Sequence, residues 1–145
     1  DKLPPEKVAF GWAIGMFYGC VIPFGFQLIL SIPTAIITKS SKIGASVGTL
    51  ITNPVSIWFI YPVQCFVANR LMGGNLSYAS IASAMGKLIN AGNYETLFSL
   101  GVELVVSFFV GGILLALVCV PMTYFLVKKT ILVHRKKKEL ANVKR

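Results

Sequence analysis

Residues 104–127 read LVVSFFVGGILLALVCVPMTYFLV, 24 positions without Asp, Glu, Lys or Arg. At about 1.5 Å per residue this run makes roughly 36 Å of helix, enough to cross about 30 Å of hydrocarbon. Two further uncharged runs precede it, 8–38 and 43–69, and each exceeds the roughly 20 residues that a crossing needs. With 55% apolar and only 13% charged residues, the chain lies outside the mix of a water-soluble domain. The expectation is an all-α integral membrane protein. Within the last run, Gly111-Gly112 would let a second helix approach closely, Pro121 is a candidate kink, and Glu103 suits the positive end of the helix dipole.

The first two runs are interrupted. Gly11, Gly15 and Gly19 stand four apart, followed by Pro23-Phe24-Gly25-Phe26-Gln27 and Pro33; the second run carries Thr49-Leu50-Ile51-Thr52-Asn53-Pro54 and then Tyr61-Pro62. A residue before proline is pushed out of the α region, and Pro54 is a good first helical residue. The pattern predicts helices broken at about 23–25 and 53–54, with the restart at Pro54. Backbone freed in this way within hydrocarbon must be satisfied by protein or by a wet cavity. The expected fold is therefore broken or re-entrant helical hairpins followed by a C-terminal transmembrane helix. Between them, Gly73-Gly74-Asn75 reads as a loop, and Leu76 to Ile89 as a weakly amphipathic interfacial helix.

The net charge is +9, but the basic residues flank apolar runs or sit in the terminal His134-Arg135-Lys136-Lys137-Lys138, the distribution of positive-inside anchors and not of a nucleic-acid surface. Residues 1–127 are expected to form the membrane domain and 128–145 a basic cytoplasmic tail. Lys2, Lys7, Lys39 and Lys42 match the tail in sign, which places both termini in the cytoplasm and requires an even number of crossings. A re-entrant first run with its tip near Pro23 satisfies that parity, and so does a first run that crosses twice.

Paired breaks in apolar segments are the best sequence pointer to a mid-membrane site, because half-helix N-termini offer N–H donors and a positive dipole end to a phosphate or carboxylate. Gly25, Gln27, Thr49, Thr52 and Asn53 are the candidate binding residues at these breaks, and the planar fork of Arg70 is a candidate phosphate relay. The bland alternative is that the same polar groups only cap the broken helices. No His/Asp/Glu cluster, Ser-His pairing or metal-ligand spacing stands out, so neither an enzyme nor a metal or cofactor is expected. Cys20, Cys65 and Cys119 read as small apolar packers.

The run Val8-Ala9-Phe10-Gly11-Trp12-Ala13-Ile14-Gly15-Met16-Phe17, followed by Pro23-Phe24-Gly25-Phe26-Gln27 and Gly48-Thr49-Leu50-Ile51-Thr52-Asn53-Pro54, resembles the bacterial membrane family called domain of unknown function 2062, over roughly residues 4–127. Members often carry Asn shortly after the first basic loop residue, where this chain reads Lys39-Ser40-Ser41-Lys42. The resemblance implies a multi-pass inner-membrane protein. Some relatives are fused to glycosyltransferases resembling polyprenyl-phosphate sugar synthases, which implies a lipid-phosphate carrier as substrate class.

The leading functional expectation is a small transporter or flippase-like protein for an anionic lipid, with a polyprenyl phosphate as candidate. The alternatives are a non-transporting anchor or scaffold for a partner such as a glycosyltransferase, and a small solute or ion exporter. One clear span and two broken stretches offer little area to enclose a full pathway, so a homo-oligomer touching at Gly111 and Gly112 is also expected.

Overall fold

The computed structural model describes residues 2–23, 25–53, 55–75, 77–91 and 102–144, with side chains for all of these except 85, 87–91, 102 and 103; the Glu103 carboxylate therefore lies outside the described residues. The described chain is all helical. Its elements are α1 (Pro5–Val21), α2 (Gln27–Ile37), α3 (Lys42–Gly48), a 3-10 turn (Thr49–Ile51), α4 (Ile57–Leu71), α5 (Tyr78–Ala91) and α6 (Val102–Val143).

α6 is the spine and the one described helix long and apolar enough to cross a membrane. It does not stop where the charges begin, and runs unbroken through Pro121 and Lys128 to Val143. α1 lies along its C-terminal half. The Lys128 ammonium is 3.5 Å from the Glu6 carboxylate, Arg135 donates to the Leu3 carbonyl at 2.6 Å, and Cys20 and Val21 pack with Ala116. α4 covers the other half, with Tyr61 edge-on to Phe108 at 4.9 Å between ring centroids and Ile57, Cys65 and Leu104 in the same buried cluster as Ile81 of α5.

Gly111 and Gly112 mark the junction of these two halves. A Cβ on Gly111 would collide with the Gln64 carbonyl of α4, and one on Gly112 with the Cys20 carbonyl of α1. Both glycines are thus occupied within the chain, because two helices meet the spine backbone-to-backbone at neighbouring positions. The homo-oligomer contact expected at these glycines is therefore not available there, because α4 and α1 of the same chain fill the space.

The glycines four apart on α1 have the same use. Gly11 faces the Ser41 carbonyl, Gly15 the Ala45 carbonyl and the Gly48 Cα, while Gly44 and Gly48 on α3 admit Trp12 and its backbone. Two small-residue stripes thereby press α1 and α3 together at backbone distance. Ser41 starts α3 as its N-cap, its hydroxyl accepting the Gly44 N–H at 2.9 Å. That is a role an Asn near this loop would also fill.

Proline acts in two ways. Ile22, which precedes Pro23, is extended (ψ 137°) and ends α1; Thr52, two residues before Pro54, is also extended (ψ 122°) and ends the 3-10 turn. Pro33, Pro62 and Pro121, by contrast, lie inside α2, α4 and α6. The interruptions expected at Pro33 and at Tyr61-Pro62 do not occur: a proline removes one N–H, and the bonds of neighbouring residues carry these helices past it. The second restart also comes later than expected, since α4 is assigned from Ile57, although its first i to i−4 bond, from Ile57 N–H to the Asn53 carbonyl at 3.1 Å, already spans the turn.

Candidate functional site

Each break consists of an extended residue, a turn and a helix that starts five residues later. At the first, Gly25 has φ +105°, a backbone state open to glycine, and the next helix begins at Gln27 without a side-chain cap. The Gln27 side chain points back. Its Nε2 lies 3.2 Å from the Gly19 carbonyl, 3.0 Å from the Ile22 carbonyl and 2.6 Å from the Thr52 hydroxyl. Thr52 in turn donates toward the Gly19 carbonyl at 3.2 Å, with the Thr49 carbonyl at 3.4 Å. One amide and one hydroxyl therefore satisfy the orphan carbonyls at the end of α1 and tie the first break to the second. Both side chains are buried.

Asn53 is one residue from this knot and has a different task. Its Oδ1 accepts the Val55 and Ser56 N–H groups, each at 3.0 Å, and its Nδ2 donates to the Leu50 carbonyl at 3.3 Å. Ser56 reciprocates, accepting the Asn53 N–H at 2.9 Å and donating to the Ile51 carbonyl at 2.7 Å. The second break is closed by its own residues.

Of the six candidates, then, Gln27 and Thr52 meet, and Thr49 joins through its carbonyl while its hydroxyl bonds the Ser46 carbonyl at 2.7 Å. Gly25 shapes the first turn, and Asn53 caps the second. Arg70 stands apart, in the last turn of α4 with its guanidinium 5.3 Å from the Phe66 ring centroid. Thirteen residues of helix, about 20 Å, separate it from Ile57, so the structure does not bring it together with the other candidates. A cation near a helix C-terminus that stacks on an aromatic ring is well placed as an anchor.

The structure adds to Gln27 three residues not expected from the sequence, Ser31, Thr34 and Thr38. Gln27, Ser31, Thr34 and Thr38 recur at helical spacing along one side of α2. Ser31 is fully buried with its hydroxyl unpartnered among the described residues, Thr34 pairs with the Tyr18 hydroxyl at 2.9 Å, and Thr38 pairs with the Ser40 hydroxyl at 2.8 Å while its carbonyl accepts Lys7 Nζ at 3.0 Å. The opposite side of α2 is Leu28, Ile29, Leu30, Ile36 and Ile37, all exposed. The signal was present as a polar period of three and four inside an apolar run. A second buried set joins α4 to α6: Gln64 donates to the Phe108 carbonyl at 3.1 Å while its Oε1 is unpartnered among the described residues, and Asn69 donates to the Ser107 hydroxyl at 3.3 Å.

The family described as an uncharacterized protein conserved in bacteria, domain of unknown function 2062, matches residues 2–139. The chain belongs to this family. The match takes in both breaks, the α2 stripe and most of α6. No curated protein and no solved structure matches the chain.

Proposed function

We propose that this family member is a membrane-embedded transporter that passes an anionic amphiphile, with a polyprenyl phosphate as candidate substrate, through the seam where the two breaks meet. The observation that carries the reading is the inverted helix α2. Ile29 is 66% exposed and Ile37 80%, whereas Gln27 is 3% and Ser31 0%. Water would favour the opposite arrangement; hydrocarbon favours this one, with the polar groups paired inside.

Lengths and charges support a topology. The uncharged part of α1, Val8 to Val21, is about 21 Å long, short of a crossing. Its end meets α6 at Gly112, well inside the 24-residue run. On this reading α1 and α2 dip in as a re-entrant pair, α4 completes the outward crossing, and α6 returns. Lys7 to Thr38, Lys128 to Glu6 and Arg135 to Leu3 gather the basic residues at one end, the cytoplasmic end by the positive-inside rule, with both termini there. Lys7 at the mouth and hydroxyls and amides along α2 suit a phosphate headgroup, while the apolar tail stays outside against Ile29 and Ile36.

The scaffold alternative draws on the second break, which is satisfied internally and needs no ligand. Transport separates the two. In vesicles holding a fluorescent isoprenyl phosphate, the full chain should speed exchange between leaflets over protein-free vesicles, read by dithionite quenching. Thr52→Val should slow it at matched amounts of folded protein. A wild-type rate equal to that of protein-free vesicles overturns transport in favour of a scaffold, and an unchanged Thr52→Val rate removes the knot from the path.

A further inference from the structure

We propose that a cleft between α1 and α6, at the basic end of the molecule, is a binding site for one anionic phospholipid. The site is remote from the breaks and does not depend on transport. The cleft has a volume of about 560 Å³, in the range of small-molecule sites. Its lining changes character along α6. Leu126, Val127 and Ile131, with Val8 and Trp12 of α1 opposite, make one end apolar; Thr130, His134 and Arg135 make the other polar. A second cavity of about 360 Å³ shares Thr130 and His134 and adds Lys129 and Lys137. Among the described residues no carboxylate lines either one, and the nearby Glu6 faces Lys128.

The order of these groups identifies the occupant. The apolar end lies toward the 104–127 run and the cationic end away from it, the sequence of tail and headgroup in a lipid whose phosphate sits at the membrane surface. Nine residues from Leu126 to Arg135 span about 14 Å, the scale of a headgroup with the first part of its chains. Arg135 is fixed beside the cleft by its bond to the Leu3 carbonyl, and Trp12 is held against Gly44 of α3, so charge and wall are both pre-positioned. A free phosphate would gain nothing from the apolar wall, and a zwitterionic lipid would bring its own cation to a cationic rim.

Trp12 reports on the cleft directly. With Trp58→Phe leaving Trp12 as sole tryptophan, the full chain in mixed micelles should be quenched more strongly by brominated phosphatidylglycerol than by brominated phosphatidylcholine. Lys129→Gln with Lys137→Gln should reduce that preference, by roughly fivefold per cation removed. Thr130→Phe, or the milder Thr130→Leu, should abolish it by filling the cleft without changing charge, and Lys144→Gln near the chain end should leave it intact. Equal quenching by the two lipids overturns the site. So does a preference that survives both Thr130 variants or falls equally with Lys144→Gln, since either result would mean diffuse attraction to a basic helix. Loss of the preference on adding inorganic phosphate at matched ionic strength would assign the cleft to a free anion and overturn the lipid.

Discussion

The two breaks begin alike and are satisfied in opposite ways. At 53–56 a short amide at the turn, Asn53, takes two N–H groups while Ser56 takes the Asn53 N–H and bonds the Ile51 carbonyl, so this turn closes on itself beside Thr52, which bonds outward to Gly19 and Gln27. At 22–26 the work falls to a longer amide on the far side of the turn. Gln27 reaches back to the Gly19 and Ile22 carbonyls and across to Thr52, while the start of α2 carries no side-chain cap. One break is a self-contained turn; the other holds together only as part of a three-segment contact. If any part of the fold opens, the physical expectation is that the first break opens and the second moves as a unit.

The largest effect is expected from Gln27→Leu. It leaves two carbonyls and the Thr52 hydroxyl short of a donor in a buried place, and each such loss costs about 1–3 kcal/mol. Partial rescue by Thr52, which already donates toward Gly19, limits the sum to roughly 3 kcal/mol. Thermal or denaturant unfolding in detergent would measure it, and a change below about 1 kcal/mol would erase the contrast between the breaks.

A double-mutant cycle sharpens the same contrast at smaller scale. Gln27→Leu and Thr52→Val should couple by about 1–2 kcal/mol, since the two side chains meet at 2.6 Å in one network. Gln27→Leu and Asn53→Leu should be additive within about 0.5 kcal/mol, although Asn53 is adjacent to Thr52 in the chain. Equal couplings would mean that the breaks form one polar cluster after all.

Much of the architecture was legible because it rests on local rules. Charge-free runs mark the long apolar elements, and the restriction on the residue before proline ends α1 at Ile22. What was not legible depends on partners. Pro33 and Pro62 look like breakers in the sequence, yet stay within helices whose neighbours hold them. Gly111 and Gly112 announce a close contact without saying that its other side is α1 and α4. Arg70 is near Asn53 in sequence, but a continuous α4 carries it away. Gln27 and Asn53 were grouped as equivalent amides; their reach separates them, because one methylene fewer lets Asn53 close on its own turn while Gln27 passes beyond its own. The Ser three residues after Asn53 was the readable sign of a reciprocal cap.

The smallest effects should come from Asn53, and their pattern decides whether it is a cap. Asn53→Leu removes the acceptor for the Val55 and Ser56 N–H groups and should cost about 1–2 kcal/mol, the usual scale of a lost N-cap. Asn53→Ser keeps an acceptor at the right height and gives up only the bond to the Leu50 carbonyl, which at 3.3 Å lies in an exposed place; it should cost no more than about 0.5 kcal/mol. The corresponding shortening at the first break, Gln27→Asn, should instead behave like Gln27→Leu, because the shorter amide cannot span to Gly19 and Thr52 together. Lipid exchange adds an independent reading on the same proteins: a cap that never touches the substrate predicts wild-type exchange per folded molecule for Asn53→Ser. If Asn53→Ser is as stable as wild type and exchange nevertheless falls, the Asn53 amide contacts the headgroup and the second break belongs to the path with the first.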